Sequence, residues 1–121
     1  MISMMRLGMT YNQGDILLIP IPFSDLSLSK KRPVLVVSKD EYNSSSLDLI
    51  VVAITSNLNY SENKVMLENE DLVDGRLKRI SSIKSDKIYS LSKGIVIKRF
   101  GAIKREKLIQ VISAIKDIIE V

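Results

Sequence analysis

The chain contains no cysteine and no histidine. Without cysteine there are no disulfides, no structural thiolate sites and no thiol nucleophile. Without histidine the commonest metal ligand and the commonest general base are missing. A zinc site is therefore not expected, and any catalysis has to run on Arg, Lys, Asp, Glu, Ser, Thr or Tyr. Aromatic residues make up only 5% of the chain, so there is little surface on which a planar ligand could stack. Glycine is sparse, and no glycine-rich phosphate loop is present. No apolar run approaches the length that crosses a bilayer. The opening MISMMRLGMT has no long apolar stretch and no small-residue cleavage site, so it does not read as a signal peptide. Residues 1–10 are expected to be a flexible leader, residues 11–121 a single domain, and the location cytoplasmic, with no membrane partner.

With 121 residues the chain has the length of one domain. Apolar residues are 45% of it, enough for a real core, which argues against wholesale disorder. The net charge is +4 and the pI about 9.4. A mildly basic small domain suits a nucleic acid or an anionic surface, and equally a soluble protein with spare lysines.

Short apolar runs punctuated by polar loops dominate the first hundred residues. Ile16–Ile21 is nearly all apolar and reads as a strand buried on both faces or bent into a barrel. Pro20 and Pro22 cannot donate to a ladder, so this strand should reach an edge or a bulge at its end. Val34–Val37, Leu49–Ile54 and Lys64–Leu67 read as further strands, with Asn43–Ser46 as a loop between the first two. Glu68–Asp74 is acidic and suits a helical turn ended by Gly75. Lys87–Leu91 and Ile95–Phe100 complete the strands, and Gly101 is expected to break the pattern.

The last segment changes period. Leu108, Val111, Ile112, Ile115, Ile118 and Ile119 recur at helical spacing, with Glu106, Lys107, Lys116 and Asp117 elsewhere around the wheel. This is an amphipathic helix covering an open face of the sheet, and Ile112→Asp should unfold the domain by burying an unpaired charge. Many short strands followed by one helix predict an α+β fold, mainly β: a small twisted barrel with a carboxy-terminal helix.

The most informative stretch is Gly14 to Ser38, GDILLIPIPFSDLSLSKKRPVLVVS. It reads strand, polar loop, strand. The loop closes on Lys30-Lys31-Arg32, and Pro33 follows at the mouth of the second strand. A guanidinium there, held beside rigid backbone and aimed outward, suits a phosphate oxygen pair, because its planar fork donates two parallel hydrogen bonds.

Taken together with other pieces in order, this stretch resembles the MazF/PemK family of toxins from type II toxin–antitoxin systems. The pieces are Gly14-Asp15-Ile16, Arg32-Pro33 with a strand ending in Ser38, Tyr42-Asn43, Ile54-Thr55-Ser56, Ser85-Asp86-Lys87-Ile88 with Ser90-Leu91, and Phe100-Gly101-Ala102-Ile103. Each is weak alone, and their order and spacing carry the likeness from Gly14 onward. The resemblance implies an SH3-like barrel working as a homodimer. It implies cleavage of single-stranded RNA at a short sequence, without metal or cofactor, through a 2′,3′-cyclic phosphate. It also implies a cognate antitoxin whose extended or helical tail covers the RNA groove.

For that chemistry the residues sort by what each can do. Arg32 carries a permanent charge, which suits it to stabilise the growing negative charge on the phosphoryl oxygens rather than to give up a proton. Thr55, with Ser56 less securely, takes the family's hydroxyl role: donating to a phosphoryl oxygen or holding the attacking 2′-OH in line. A strand-end hydroxyl also commonly just satisfies local backbone groups. Asp86 is the one carboxylate in a matching position; beside cations it is a weak base, better suited to orienting a neighbour. Lys84 stands where some relatives carry arginine, and an ammonium does not reproduce a bidentate guanidinium. Lys84 and Asp86 also read as a solvated surface pair. Lys30, Lys31, Tyr42 and Asn57 are the residues expected to bind the nucleic acid, the lysines on its backbone and Tyr42 by stacking; the basic loop reads equally as merely hydrated. Phe23 is expected in the core. The alternative function is a non-catalytic module on the same barrel, binding DNA, RNA or a protein such as gyrase.

Overall fold

The computed structural model describes residues 10–20, 31–59 and 63–121. Seven strands form one antiparallel sheet: β1 (Asp15–Pro20), β2 (Lys31–Val36), β3 (Asp48–Thr55), β4 (Lys64–Leu67), β5 (Leu72–Asp74), β6 (Ser81–Ser92) and β7 (Lys98–Ile103). Their order across the sheet is β4-β6-β3-β2-β1-β7-β5. A short helix, α1 (Asp40–Ser45), links β2 to β3, and α2 (Arg105–Ile119) ends the chain. The sheet curls into a half-barrel, mostly β with a carboxy-terminal helix, as the sequence predicts. The expected leader falls almost wholly outside the described residues.

Alternation along the strands sorts the apolar residues to two faces. Ile16, Leu35, Val52, Ile54 and Ile83 form one buried cluster with Val111 of α2. Leu17, Val34, Val36, Leu49 and Val51 form a second cluster with Tyr11. Both faces of the central strands are thus buried, which explains why β1 and β3 read as nearly continuous apolar runs. Within α2, Val111 is wholly buried, while Leu108 and Ile115 pack partly buried on the same cluster. Ile118 and Ile119 are exposed and Ile112 is only half-buried. The helix seats on one turn rather than on its whole apolar stripe, so the effect expected of a charge at Ile112 belongs at Val111.

Three local expectations change. Asn43–Ser45 is helical, not a loop, because Asn43 is buried and tied at both ends of its amide to Ser38. Its Oδ1 accepts from the Ser38 hydroxyl and its Nδ2 donates to the Ser38 carbonyl at 3.0 Å. Tertiary anchoring overrides the weak helix propensity of the serines. Secondly, β6 runs through Ser81–Ser92 as one strand, and the residues read as a separate strand from Lys87 belong to it. Thirdly, Gly101 does not break the pattern but lies inside β7. A Cβ there would stand 2.4 Å from the Asp74 carbonyl oxygen. The acidic segment does hold a helical turn, at Asn69–Asp71, but β5 intervenes before Gly75 at φ +90°. Pro20 also behaves as expected: β1 pairs with β7 only as far as Leu18, so Pro20 has a ladder partner on the β2 side alone.

Asp15 and Arg99 tie β1, β7 and β5 together. The Asp15 carboxylate, almost fully buried, accepts from the Asn12 N–H at 2.9 Å and meets Arg99 Nε at 3.2 Å. The same guanidinium donates to Asp74 at 2.6 Å. That hydrogen bond, and then the charge of Arg99, hold the Asp74 carboxyl below its ordinary value. A depressed carboxyl contributes stability above its unfolded pKa and loses it as pH falls through the folded one. Asp74→Asn is therefore expected to lower stability slightly above about pH 4, as fits an exposed pair, and to leave stability in acid unchanged, so that the acid limb of a stability-versus-pH curve flattens. Gly101→Ala should be far more damaging, lowering stability by about 2–3 kcal/mol because backbone must move to admit the methyl group; urea melts of the two variants check both statements.

Candidate functional site

The face of the sheet away from α2 holds a groove of about 540 Å³. Strand register builds it. Val34 of β2 pairs with Ala53 of β3, and Ala53 pairs with Lys84 of β6. The β2–β3 ladder ends at Val34; Arg32 stands two residues before Val34 in β2, Thr55 two residues after Ala53 in β3, and Thr55 pairs with Ser82. Residues two apart share a face, so Arg32, Thr55 and Lys84 look into one space. All three line the groove. Arg32 lies inside β2, paired with Ile19 of β1, rather than in the preceding loop. Its backbone is held in the β1–β2 ladder, and the residue is exposed.

Beyond Lys84 the register jumps. Ala53 faces Lys84 but Val52 faces Ile88, so Ser85-Asp86-Lys87 forms an excursion in β6 with no counterpart in β3. The excursion swaps which residues face the groove: Lys84 before it, then Lys87, Tyr89 and Leu91 after it. Ser85 lies at its root, wholly buried, with its N–H on the Asn63 carbonyl at 3.0 Å and its hydroxyl without a partner among the described residues. Asp86 is exposed, 3.9 Å from Lys87, and is not among the residues lining the groove.

The groove lining mixes two characters: Arg32, Thr55, Asn57, Asn59, Lys84 and Lys87 are polar, while Ile19, Pro20, Leu91, Ile95 and the half-exposed Tyr89 are apolar or aromatic. Among the described residues three cations line it and no carboxylate does. Among the described residues no three Asp or Glu side chains cluster as metal ligands would. Thr55 closes a tight turn: its Oγ1 accepts from the Asn57 N–H at 3.0 Å, and Asn57 Oδ1 accepts from the Asn59 N–H at 3.0 Å. The local backbone role foreseen for this hydroxyl is thus real. It occupies an acceptor lone pair and leaves the hydroxyl proton free to donate into the groove.

Of the residues singled out from sequence, the structure brings together Arg32, Thr55, Asn57 and Lys84. Ser56 is exposed beside Thr55 without lining the groove. Lys31 is exposed, and alternation turns it to the opposite face from Arg32. Tyr42 is exposed on α1 and lies outside the groove lining. Lys30 and Phe23 lie outside the described residues. Lys87 and Tyr89 were missed as groove residues. Their signal was the change of parity along β6, from even to odd positions, which becomes visible only when the strand is read as continuous.

Residues 12–119 match the family of PemK-like, MazF-like toxins of type II toxin–antitoxin systems. The chain belongs to this family. No curated protein matches the chain significantly in sequence. Solved structures of similar fold include an endoribonuclease from Mycobacterial species, with a TM-score of 0.72 at 16% identity over 89% of each chain. MazF in the MazE–MazF complex (Form-II) from Deinococcus radiodurans is similar at TM-score 0.70 and 18% identity, over 93% of this chain and 97% of that one. The Mycobacterium tuberculosis toxin MazF-mt6 is similar at 0.68 and 18%, over 85% and 93%. Of the residues that carry the resemblance, Asp15 is the buried tie of β1, Asn43 the anchor of α1, and Gly101 the close contact between β7 and the end of β5. Among the described residues no helix is long and apolar enough to cross a membrane.

Because cations and, among the described residues, no carboxylate line the groove, a single-stranded oligonucleotide used as a polyanionic probe should bind with strong salt dependence. Lys87→Ala is expected to lower the slope of log K against log salt by about 0.7, the value for one phosphate contact on a single strand. A fluorescence-anisotropy titration across salt concentrations measures it.

Proposed function

We propose that this chain is a cytoplasmic endoribonuclease toxin that cleaves single-stranded RNA at a short sequence, without metal, leaving a 2′,3′-cyclic phosphate. The observation that carries the proposal is the groove lined together by Arg32 and Thr55, with two further cations, apolar side chains and, among the described residues, no acid. A polyanion with planar bases fits such a surface, since phosphates meet the cations and bases meet Tyr89, Leu91 and Ile95. Endoribonuclease structures of the same fold support the chemistry.

In the proposed reaction the ribose 2′-OH attacks the neighbouring phosphorus, a P–O2′ bond forms and the P–O5′ bond breaks. One proton leaves the 2′ oxygen and one reaches the 5′ oxygen. Arg32 holds its permanent charge against the phosphoryl oxygens as negative charge grows there, which is worth most in a site already fixed in place. Thr55, its oxygen oriented by the Asn57 N–H, donates to a phosphoryl oxygen. Lys84 and Lys87 steady the flanking phosphates as point charges. Asp86 orients Lys87 from the excursion of β6. Lys30 and Lys31 take the RNA backbone, Tyr42 a base, and Ser56 backs Thr55 as a second hydroxyl.

The toxin works as a homodimer restrained by a cognate antitoxin. Exposed apolar side chains such as Ile88, Ile97 and Ile109 support a protein interface, and MazE–MazF complexes of this fold support the antitoxin.

Purified protein is expected to cut single-stranded RNA in the presence of chelator and to leave cyclic-phosphate ends. Arg32→Ala should lose at least about a hundredfold in rate while melting like the parent. Full activity in that variant would refute the assignment, and binding without products on RNA of varied sequence would refute cleavage.

A further inference from the structure

The turn that orients Thr55 is closed by a residue outside the groove. Lys64 opens β4, and its ammonium donates to the carbonyl of Leu58 at 2.8 Å and of Asn59 at 3.0 Å. From there the bonds run back towards the site. The Asn59 N–H donates to Asn57 Oδ1, and the Asn57 N–H donates to Thr55 Oγ1. Four hydrogen bonds thus join the first residue of β4 to the hydroxyl at the end of β3. Residues 56–59 are exposed, and among the described residues no other side chain bonds this turn. A short exposed segment with so few ties opens easily unless something clamps it.

We infer that Lys64 is a positioning residue: it clamps the turn after β3 and so fixes the Thr55 hydroxyl and the Asn57 side chain against the groove. The inference rests on the endoribonuclease reading. A chelated turn keeps the Thr55 acceptor engaged and its proton pointed outward. It also commits the oxygen of Asn57, so that residue offers only its NH₂ to the substrate, a donor that meets a base or phosphate acceptor. Lys64 does this without lining the groove itself.

A second role for the same ammonium has to be separated from the clamp. Lys64 pairs across the ladder with Lys84, one strand from the groove. Acting as a mere charge, it would raise substrate affinity, and its loss would appear in KM and in the salt dependence. Acting as a clamp, its loss appears in kcat, because a misplaced reacting group slows the bound complex.

The test uses the full chain with Lys64→Met, Lys64→Gln and Lys64→Arg, assayed on RNA in chelator, with thermal melts and amide exchange alongside. Lys64→Met is expected to lower kcat about tenfold, with KM and salt dependence unchanged. Lys64→Arg, which can also donate to both carbonyls, should recover most of the rate. Lys64→Gln, neutral but still a donor, should fall between them. Exchange at the Asn57 and Asn59 amides should quicken in Lys64→Met while β2, β3 and β6 stay protected. The inference is overturned by parental kcat in Lys64→Met, by a loss carried only in KM with a shallower salt slope, or by unchanged exchange at Asn57. Failure of the unmodified protein to cut any RNA would sink the endoribonuclease reading instead, and the exchange measurement would still decide the clamp.

Discussion

The antiparallel register joining β2, β3 and β6 is the constraint on which the rest of this molecule depends. It sets Val34, Ala53 and Lys84 in one row, and strand alternation puts Arg32 and Thr55, two residues along, on the same face. A slip of one residue in any of these strands would turn its groove side chains into the core beneath α2, and the core residues outward. Burial on both faces makes such a slip expensive, since Leu35, Val52 and Ile83 fill one side while Val34 and Val51 fill the other. The hydrophobic packing thus does more than stabilise the fold. It fixes the azimuth of a guanidinium and a hydroxyl that are far apart in the chain.

The groove owes its breadth to a departure from that regularity. Were β6 paired evenly along its length, Lys84 would be followed on the groove face by Asp86 and Ile88. The Ser85-Asp86-Lys87 excursion instead substitutes Lys87 and Tyr89. One carboxylate is thereby removed from an anion-binding surface and a second cation put in its place. Extra residues in a strand are often found beside functional sites because they re-aim side chains in this way.

Much of the fold was legible in the sequence because period and length agreed. Lys64–Leu67 and the apolar runs at Ile16 and Leu49 became strands, and the spacing of Leu108, Val111 and Ile115 became a helix. What failed was local propensity overruled by tertiary contact. The serines after Asn43 read as a loop, yet burial of the Asn43 amide against Ser38 holds them in a helix. Gly101 read as a breaker, yet it continues β7 because the chain at Asp74 passes too close for any side chain. Among the groove residues, Arg32 was readable from its charge and position, and Thr55 and Lys84 through the family resemblance. Lys87 and Tyr89 were not, since their placement follows from a register shift that no single residue announces.

Among the described residues the strand order also leaves the sheet with two margins, β4 and β5. Each is short: four residues at one side and three at the other. An uncapped margin is a template onto which another chain can zip, and brevity is one of the ways proteins discourage it. At β4 the row begins with Lys64, whose charge opposes the stacking of like copies; at β5 it ends in Gly75, whose left-handed backbone bends the chain out of line. The half-open barrel can therefore keep an exposed, partly apolar groove without inviting endless edge-to-edge association.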